Sequence, residues 1–302
     1  MPNQNTTNHQ KILLIINPIS GRKKAKKILY PIVDLLCRND CETTIYTTTR
    51  RGQAVELVKE HAGEADKIIC CGGDGTLNEI FTGQNAAGLQ IPVGYIPTGT
   101  TNDFAHALKL PAKTSRAIEV AIKGKAQPHD LGKFNNNQIF SYVASFGAFT
   151  ETAYTTPQWS KNIFGHRAYV LNGILNILGI RSHSMKVIAD DREISGDFVF
   201  GSVTNSTVIA GLIKLLPSDI SFNDGLFEVM LIKTPKSQKE LQATAQALLL
   251  QKYDEKYLHF FKAKELEFQF AEEVAWTTDG EFAGELREVS IACLKGGAVV
   301  VV

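Results

Sequence analysis

Apolar and polar positions in the first third of the chain alternate between two rhythms. Lys11–Ile16 (KILLII) and residues 68–71 (IICC) are unbroken apolar runs, as strands buried on both faces require. Glu42–Thr47 and residues 91–96 are two further strand-like runs. Between them the spacing turns helical. Residues 22–38 place Ala25, Ile28, Leu29, Ile32, Leu35 and Leu36 on one stripe, with Pro31 expected to kink or interrupt the helix. Gln53–His61, residues 77 to about 84, and a segment from about Asn102 are the other predicted helices. Strand and helix in strict alternation predict a mainly parallel sheet with helices on both faces.

The rhythm changes after about residue 130. Strand-like runs dominate, at 138–146, 184–189, 198–204, 226–232, 266–270, 288–292 and 298–302. Turn pairs separate several of them: Asp224-Gly225, Asp279-Gly280 and Gly296-Gly297. One helix is predicted over 235–253, with Thr234 as its N-cap and Pro235 at its first position. The pattern divides the chain into a disordered tail (1–9), an α/β domain (10–130) and a β-rich domain (131–302).

Bulk properties narrow the classes. A chain of 302 residues can bury the cores of two domains, and 44% hydrophobic with 21% charged residues is ordinary for a globular protein. A formal net charge of +1 gives no basic face for nucleic acid. The most apolar stretch, 168–180, is too short to span a bilayer and contains Asn172 and Asn176. No signal-peptide pattern opens the sequence. Five cysteines, an odd number without CxxC spacing, point to reduced thiols in the cytoplasm, with Cys70 and Cys71 as core residues.

The chemistry concentrates in residues 67–79, KIICCGGDGTLNE. A strand running through glycines into a helix brings backbone N–H groups up to phosphate. Asp74 inside that turn would repel such a ligand unless a metal ion or a proton-transfer role intervenes. Two more turns, NPISG (17–21) and PTGTTND (97–103), also follow strands of the same sheet. In an open α/β sheet all three should face one edge, where ligands bind. The P-loop pattern is absent and the dinucleotide fingerprint is incomplete. Each feature also has a structural reading. Thr76 with Glu79 fits a capping box, Asn102 or Asp103 fits a helix cap, and Asp224-Gly225 and Asp279-Gly280 fit hairpin turns.

Taken together and in order, NPISG, GGDGTLNE, PTGTTNDFA, SFNDGLFEV (221–229) and TTDGEFA (277–283) resemble the diacylglycerol kinase catalytic family, in its soluble bacterial lipid-kinase branch. The resemblance implies a phosphofructokinase-like α/β domain followed by an NAD-kinase-like β-sandwich domain. It implies that ATP lies in the cleft between the two. The nucleotide would be held by Asn17, Pro18, Ile19, Ser20, Gly21 and Arg22, by Thr48, by Gly73, Asp74, Gly75, Thr76, Leu77, Asn78 and Glu79, and by Thr100. Asp74 would act through Mg²⁺, with Asp103 and Asp130 as further members of an acidic water–metal network. Glu281 would be the general base that takes the proton of a lipid hydroxyl. Ser221, Asp224 and the Leu226 carbonyl would hold a second, structural Mg²⁺, for which a plain Asp-Gly turn is the alternative.

The implied activity is phosphorylation of diacylglycerol to phosphatidate at the inner face of the membrane. Peripheral docking would use Trp159, Phe164, Tyr169 and the stretch to 180, with Lys161 and Arg167 near anionic headgroups. Phosphatidylglycerol, a sphingoid base, ceramide or a soluble acceptor such as NAD are alternative substrates. A non-catalytic nucleotide- or lipid-binding protein is an alternative of a different class. Two departures from the family pattern stand out. Residues 204–212 lack its glycine-rich run, and the chain stops at Val302 without a C-terminal helix. The oligomeric state stays open, a homodimer included.

Overall fold

The computed structural model describes residues 9–147, 181–206, 208–209, 213–214 and 221–302, apart from the side chains of Arg22, Lys23, Lys24, Lys26, Val208, Ile209, Ile213 and Lys214. The expected docking segment around Trp159 and 168–180, the tail up to residue 8 and much of 204–212 lie outside the described residues. The chain forms two compact units. One comprises residues up to His129 together with Gly296–Val302, and the other is Asp130–Lys295.

In the first unit, β1 (Lys11–Ile16), β2 (Glu42–Thr47), β3 (Lys67–Gly72) and β4 (Val93–Pro97) form a parallel sheet in the order β4-β3-β1-β2. Every residue of β3 is buried, which is why residues 68–71 are an unbroken apolar run. Helices α1 (Ser20–Arg38), α2 (Gln53–His61), α3 (Asp74–Ala87), α4 (Asp103–Ala107) and α5 (Thr114–Lys123) follow the strands. α1 packs with α5, and α2 with α3. Ile12, Leu14, Ile16, Ile69 and Ile96 of the strands meet Ala25, Ile32, Leu36 and Ile118 in one core. Cys70 and Cys71 are buried packing residues, and burial pushes the Cys71 thiol up to about 12.

The first unit departs from the sequence reading in four places, the first being β4, which runs Val93–Pro97 and not 91–96. Pro31 does not end α1, because buried Ala25, Ile32 and Leu36 fasten both halves of the helix to the sheet. α3 begins at Asp74 rather than 77, with Gly73 as its N-cap. α5 went unread, although its buried Ala117, Ile118, Ala121 and Ile122 keep helical spacing.

The second unit is β-rich. β5 (Ala126–Phe134), which spans the division between the units, pairs with β6 (Gln138–Phe140). Then come β7 (Val143–Gly147), β8 (His183–Ala189), β9 (Arg192–Thr204) and a short pair, β10 (Val208–Ile209) with β11 (Ile213–Lys214). β12 (Phe227–Lys233), β13 (Leu258–Ala263), β14 (Glu265–Thr278) and β15 (Glu281–Val301) complete it. β9 and β14 are each paired with β7 at one end and with β8 at the other, so the four strands close a circuit. Its core is aromatic. Fully buried Trp276 lies 5.0 Å from the Phe146 ring and 5.2 Å from the Phe268 ring.

Four details of this unit correct the sequence reading. The run 138–146 is broken between β6 and β7, where the Ser141 and Tyr142 amides turn to the Asp279 carboxylate instead of a ladder. The helix α6 spans Gln238–Leu250 and not 235–253. Its cap is Ser237, whose side chain accepts the Glu240 amide while the Glu240 carboxylate accepts the Lys236 amide, an S-x-x-E pairing close to a capping box that overrides the Pro235 signal. The runs 288–292 and 298–302 belong to one strand, β15. Its end leaves the β-rich unit, because Val300 and Val301 pair in parallel with Val93 and Gly94 of β4.

Candidate active site

The order β4-β3-β1-β2 reverses its direction of growth between β1 and β3. Ligands of open α/β sheets bind at such a reversal, outside the carboxyl ends of the strands. The turns after β1, β3 and β4 meet there, fastened to one another by side chains. Asn17 Nδ2 donates to Thr76 Oγ1 at 3.1 Å, joining the first turn to the second. Ser20 Oγ lies 2.5 Å from Thr98 Oγ1, joining the first to the third. Gly21 has φ +50°, and a Cβ there would stand 1.7 Å from the Thr98 carbonyl oxygen. Only glycine allows the start of α1 to come this close. Gly99 closes the triangle, since a Cβ on it would lie 2.8 Å from the Gly73 Cα.

Asp74 occupies the first position of α3, where the helix dipole favours a carboxylate. Its orientation is set by two donors. The Asp103 amide reaches Oδ2 at 2.9 Å, and the Tyr95 hydroxyl reaches Oδ1 at 3.2 Å. Tyr95 also points its hydroxyl at Asn102 Oδ1, 3.4 Å away, while Asn102 Nδ2 donates to the Gly99 carbonyl at 3.0 Å. Asn102 precedes α4 in the left-handed region, at φ 53°, and its side chain makes no cap bond. It braces the third turn rather than capping a helix. Tyr95 is a structural support that the sequence did not point to, and Asn102, expected as a cap, is a second one. Tyr95 lies in a strand and resembled any core aromatic.

The capping box expected of Thr76 and Glu79 does not form, because α3 starts ahead of Thr76. Thr76 is buried inside the helix and accepts from Asn17. Glu79 reaches across to α2, where Oε1 accepts the Gly52 amide at 2.7 Å and Oε2 the Ala54 amide at 3.1 Å. It thus caps another helix, whose own N-cap, Gly52, offers no side chain. Glu79→Ala is expected to destabilise the first unit by about 2 kcal/mol, read from urea unfolding, with Glu79→Gln keeping part of the loss. An unchanged midpoint would remove Glu79 from this role.

The other expected nucleotide contacts line the same edge. Pro18 and exposed Ile19 lie on the first turn, where Asn17 Oδ1 accepts the Ile19 amide. Thr48 is buried at the end of β2, its amide on the Ile16 carbonyl at 2.8 Å. Thr100 is exposed on the third turn, Gly75, Leu77 and Asn78 lie in α3, and Arg22 is described in its backbone alone. A phosphate group at this edge would meet the α3 N-terminus, short hydroxyls and two carboxylates. Asp74 fits a hard cation, since its carboxylate, holding two donors, keeps lone pairs for metal or water, and Asp103 is beside it through its amide. Among the described residues no three His, Cys, Asp or Glu side chains converge to cage a metal. A cation of this type would be held jointly by carboxylates and substrate phosphates, the usual habit of Mg²⁺.

Asp130, Asp224 and Glu281 belong to the second unit. Asp130 is fully buried, accepts the Gly225 amide at 2.7 Å and sends its own amide to the Phe222 carbonyl at 2.7 Å. It therefore grips the loop that carries Asp224. There Ser221 donates to Asn223 Oδ1 at 3.2 Å, and Asp224 accepts from the Leu226 amide at 3.1 Å and the Lys262 ammonium at 2.9 Å. Nearby Glu228 is fully buried, and burial pushes its carboxyl up to about 7 against the pull of Lys262. Exposed Glu281 begins β15 directly after the Asp279-Gly280 turn, whose residues have φ 50° and 80° as a tight hairpin demands. Asp279 itself is turned inward. Its carboxylate accepts the amides of Ser141, Tyr142 and Val143 at 2.6, 3.0 and 3.2 Å.

Comparison with known proteins agrees with this architecture. Residues 11–134 match the diacylglycerol kinase catalytic domain, and residues 145–300 the YegS C-terminal NAD kinase β-sandwich-like domain. The diacylglycerol kinase of Bacillus subtilis strain 168 is 34% identical over 275 residues, covering 90% of each chain. The diacylglycerol kinase of Staphylococcus epidermidis strain RP62A is 32% identical over 281 residues, 90% of this chain and 86% of that one. A crystal structure of a diacylglycerol kinase from Bacillus anthracis strain Sterne shares the fold, with a TM-score of 0.76 over 98% of this chain and 97% of that chain at 24% identity. Two domains in this order, and relatives that match along nearly their whole length, place the chain in the diacylglycerol kinase family.

Proposed function

We propose that the protein is an ATP- and Mg²⁺-dependent lipid kinase that phosphorylates diacylglycerol to phosphatidate. The observation that carries this reading is the meeting of three strand-end turns around Asp74, whose carboxylate is aimed by Tyr95 and the Asp103 amide. Relatives along 90% of the chain are named diacylglycerol kinase, which supports that acceptor. The three turns, with Thr48 and Thr100, hold the nucleotide through backbone amides and hydroxyls that approach phosphate closely. Asp74 and Asp103 are the residues that would hold Mg²⁺, whereas Asp130, buried and bonded to the Gly225 amide, steadies the Asp224 loop. When bound, the ion neutralises charge on the phosphates as the phosphoryl group leaves ADP.

Glu281 accepts the proton of the lipid hydroxyl as that oxygen bonds to the γ-phosphorus and the bond to ADP breaks. Beyond that proton, the reaction needs positioning and charge neutralisation. No helix among the described residues is long and apolar enough to cross a membrane. The enzyme then meets its bilayer-bound acceptor by docking at the membrane surface.

The test is a radiolabelled-ATP assay on mixed micelles with Mg²⁺, offering diacylglycerol, phosphatidylglycerol, ceramide and sphingosine, with NAD in a detergent-free arm. Labelled phosphatidate is the expected product. Label in another acceptor, or in none, overturns the assignment.

A further inference from the structure

We infer that Lys262 supplies, as a side-chain ammonium, the positive charge that holds the Asp224 loop, so that this chain places no divalent cation there. The register of the sheet puts the residue in position. Lys262 on β13 stands directly opposite Glu228 on β12, and directly opposed residues project to the same face. Its Nζ lies 2.9 Å from Asp224 Oδ2 and 3.3 Å from Glu228 Oε1. Glu228 is fully buried, and neither of its carboxylate oxygens has a hydrogen-bond partner among the described residues. Two neighbouring carboxylates, one of them out of water, are stabilised by a cation placed between them.

The donor set that the family pattern assigns to a metal does not fit one here. Mg²⁺ needs about six oxygen ligands at roughly 2.1 Å. Asp224 Oδ2 is occupied by an ammonium, which would repel an incoming divalent ion, and Oδ1 accepts the Leu226 amide. Ser221 is turned to Asn223. The other side of the same loop is held by Asp130 through Gly225 and Phe222. Lys262 is therefore a positioning residue, acting through Asp224 on the loop that Asp130 grips.

The experiment counts bound Mn²⁺ by electron paramagnetic resonance on the full, nucleotide-free chain and follows melting in EDTA and in Mg²⁺. For wild type, Asp224→Ala is expected to leave the Mn²⁺ stoichiometry unchanged, and chelation to leave Tm unchanged. Lys262→Met is expected to melt roughly 5 °C lower in EDTA and to recover in Mg²⁺. It also gains a Mn²⁺ site, which Lys262→Met combined with Asp224→Ala loses again. Lys262→Arg keeps the charge and should behave as wild type. A wild-type Mn²⁺ that Asp224→Ala removes, or a wild-type Tm that falls on chelation, overturns the inference. So does a Lys262→Met protein that neither loses Tm nor gains a site. If Lys262→Met does not fold, the wild-type and Asp224→Ala comparison still decides. None of these readouts depends on which lipid is phosphorylated, or on turnover at all.

Discussion

A Glu281→Gln enzyme is expected to transfer phosphate about a thousand-fold more slowly than wild type while binding ATP with unchanged affinity. The substitution keeps size and polarity and removes the proton acceptor. Glu281 is exposed at the first residue of β15, so no packing is lost and Tm should not move. The mount beneath it is stiff. Asp279 ties the hairpin turn to three successive amides at Ser141, Tyr142 and Val143, which fixes where β15 begins. That same engagement takes Asp279 out of contention as the base. Single-turnover transfer measured beside calorimetric ATP binding separates the two quantities. Turnover within tenfold of wild type would strip Glu281 of its role.

The second large effect is expected at Asp74. Asp74→Asn preserves volume but presents an NH₂ either to the Tyr95 hydroxyl or to the Asp103 amide, both donors in this structure. The Asp103 amide keeps its acceptor only if the NH₂ faces Tyr95, whose hydroxyl must then turn its proton to Asn102 Oδ1, and the negative charge is lost either way. Turnover is expected to fall by about three orders of magnitude, and the Mg²⁺ concentration for half-maximal rate to rise. The Mg²⁺ titration distinguishes the two acids, because Glu281→Gln should lower the plateau without moving the midpoint. An Asp74→Asn enzyme with a wild-type Mg²⁺ midpoint would contradict the metal-network assignment.

What sequence could reveal here follows from the range of each interaction. β1, β2 and α2 were legible to the residue, because apolar runs and helical spacing are local signals. The meeting of the three turns was legible too, since a parallel sheet obliges its strand ends to share an edge. Glu79 was misread because its partners, Gly52 and Ala54, come from another helix, whereas a capping box three residues away was the only local candidate. Tyr95 gave no sign of its hydroxyl's task, and the pairing of Lys262 with Glu228 depends on a strand register that spacing does not encode. Ser237 is the opposite case. Its S-x-x-E signal was present and lost to the proline rule.

The pairing of Val300 and Val301 with β4 ties the first unit to the order of synthesis. At typical translation rates, roughly 10–40 s separate the appearance of β4 from that of its last neighbour. Through that interval β4 presents an unpaired edge, the surface that recruits foreign strands. A ribosome-stalled chain ending before Gly296 should therefore hold a nucleotide half that is assembled but open on one side. Deleting Gly296–Val302 is therefore expected to act on the first unit and not on the β-rich unit that precedes it in the chain.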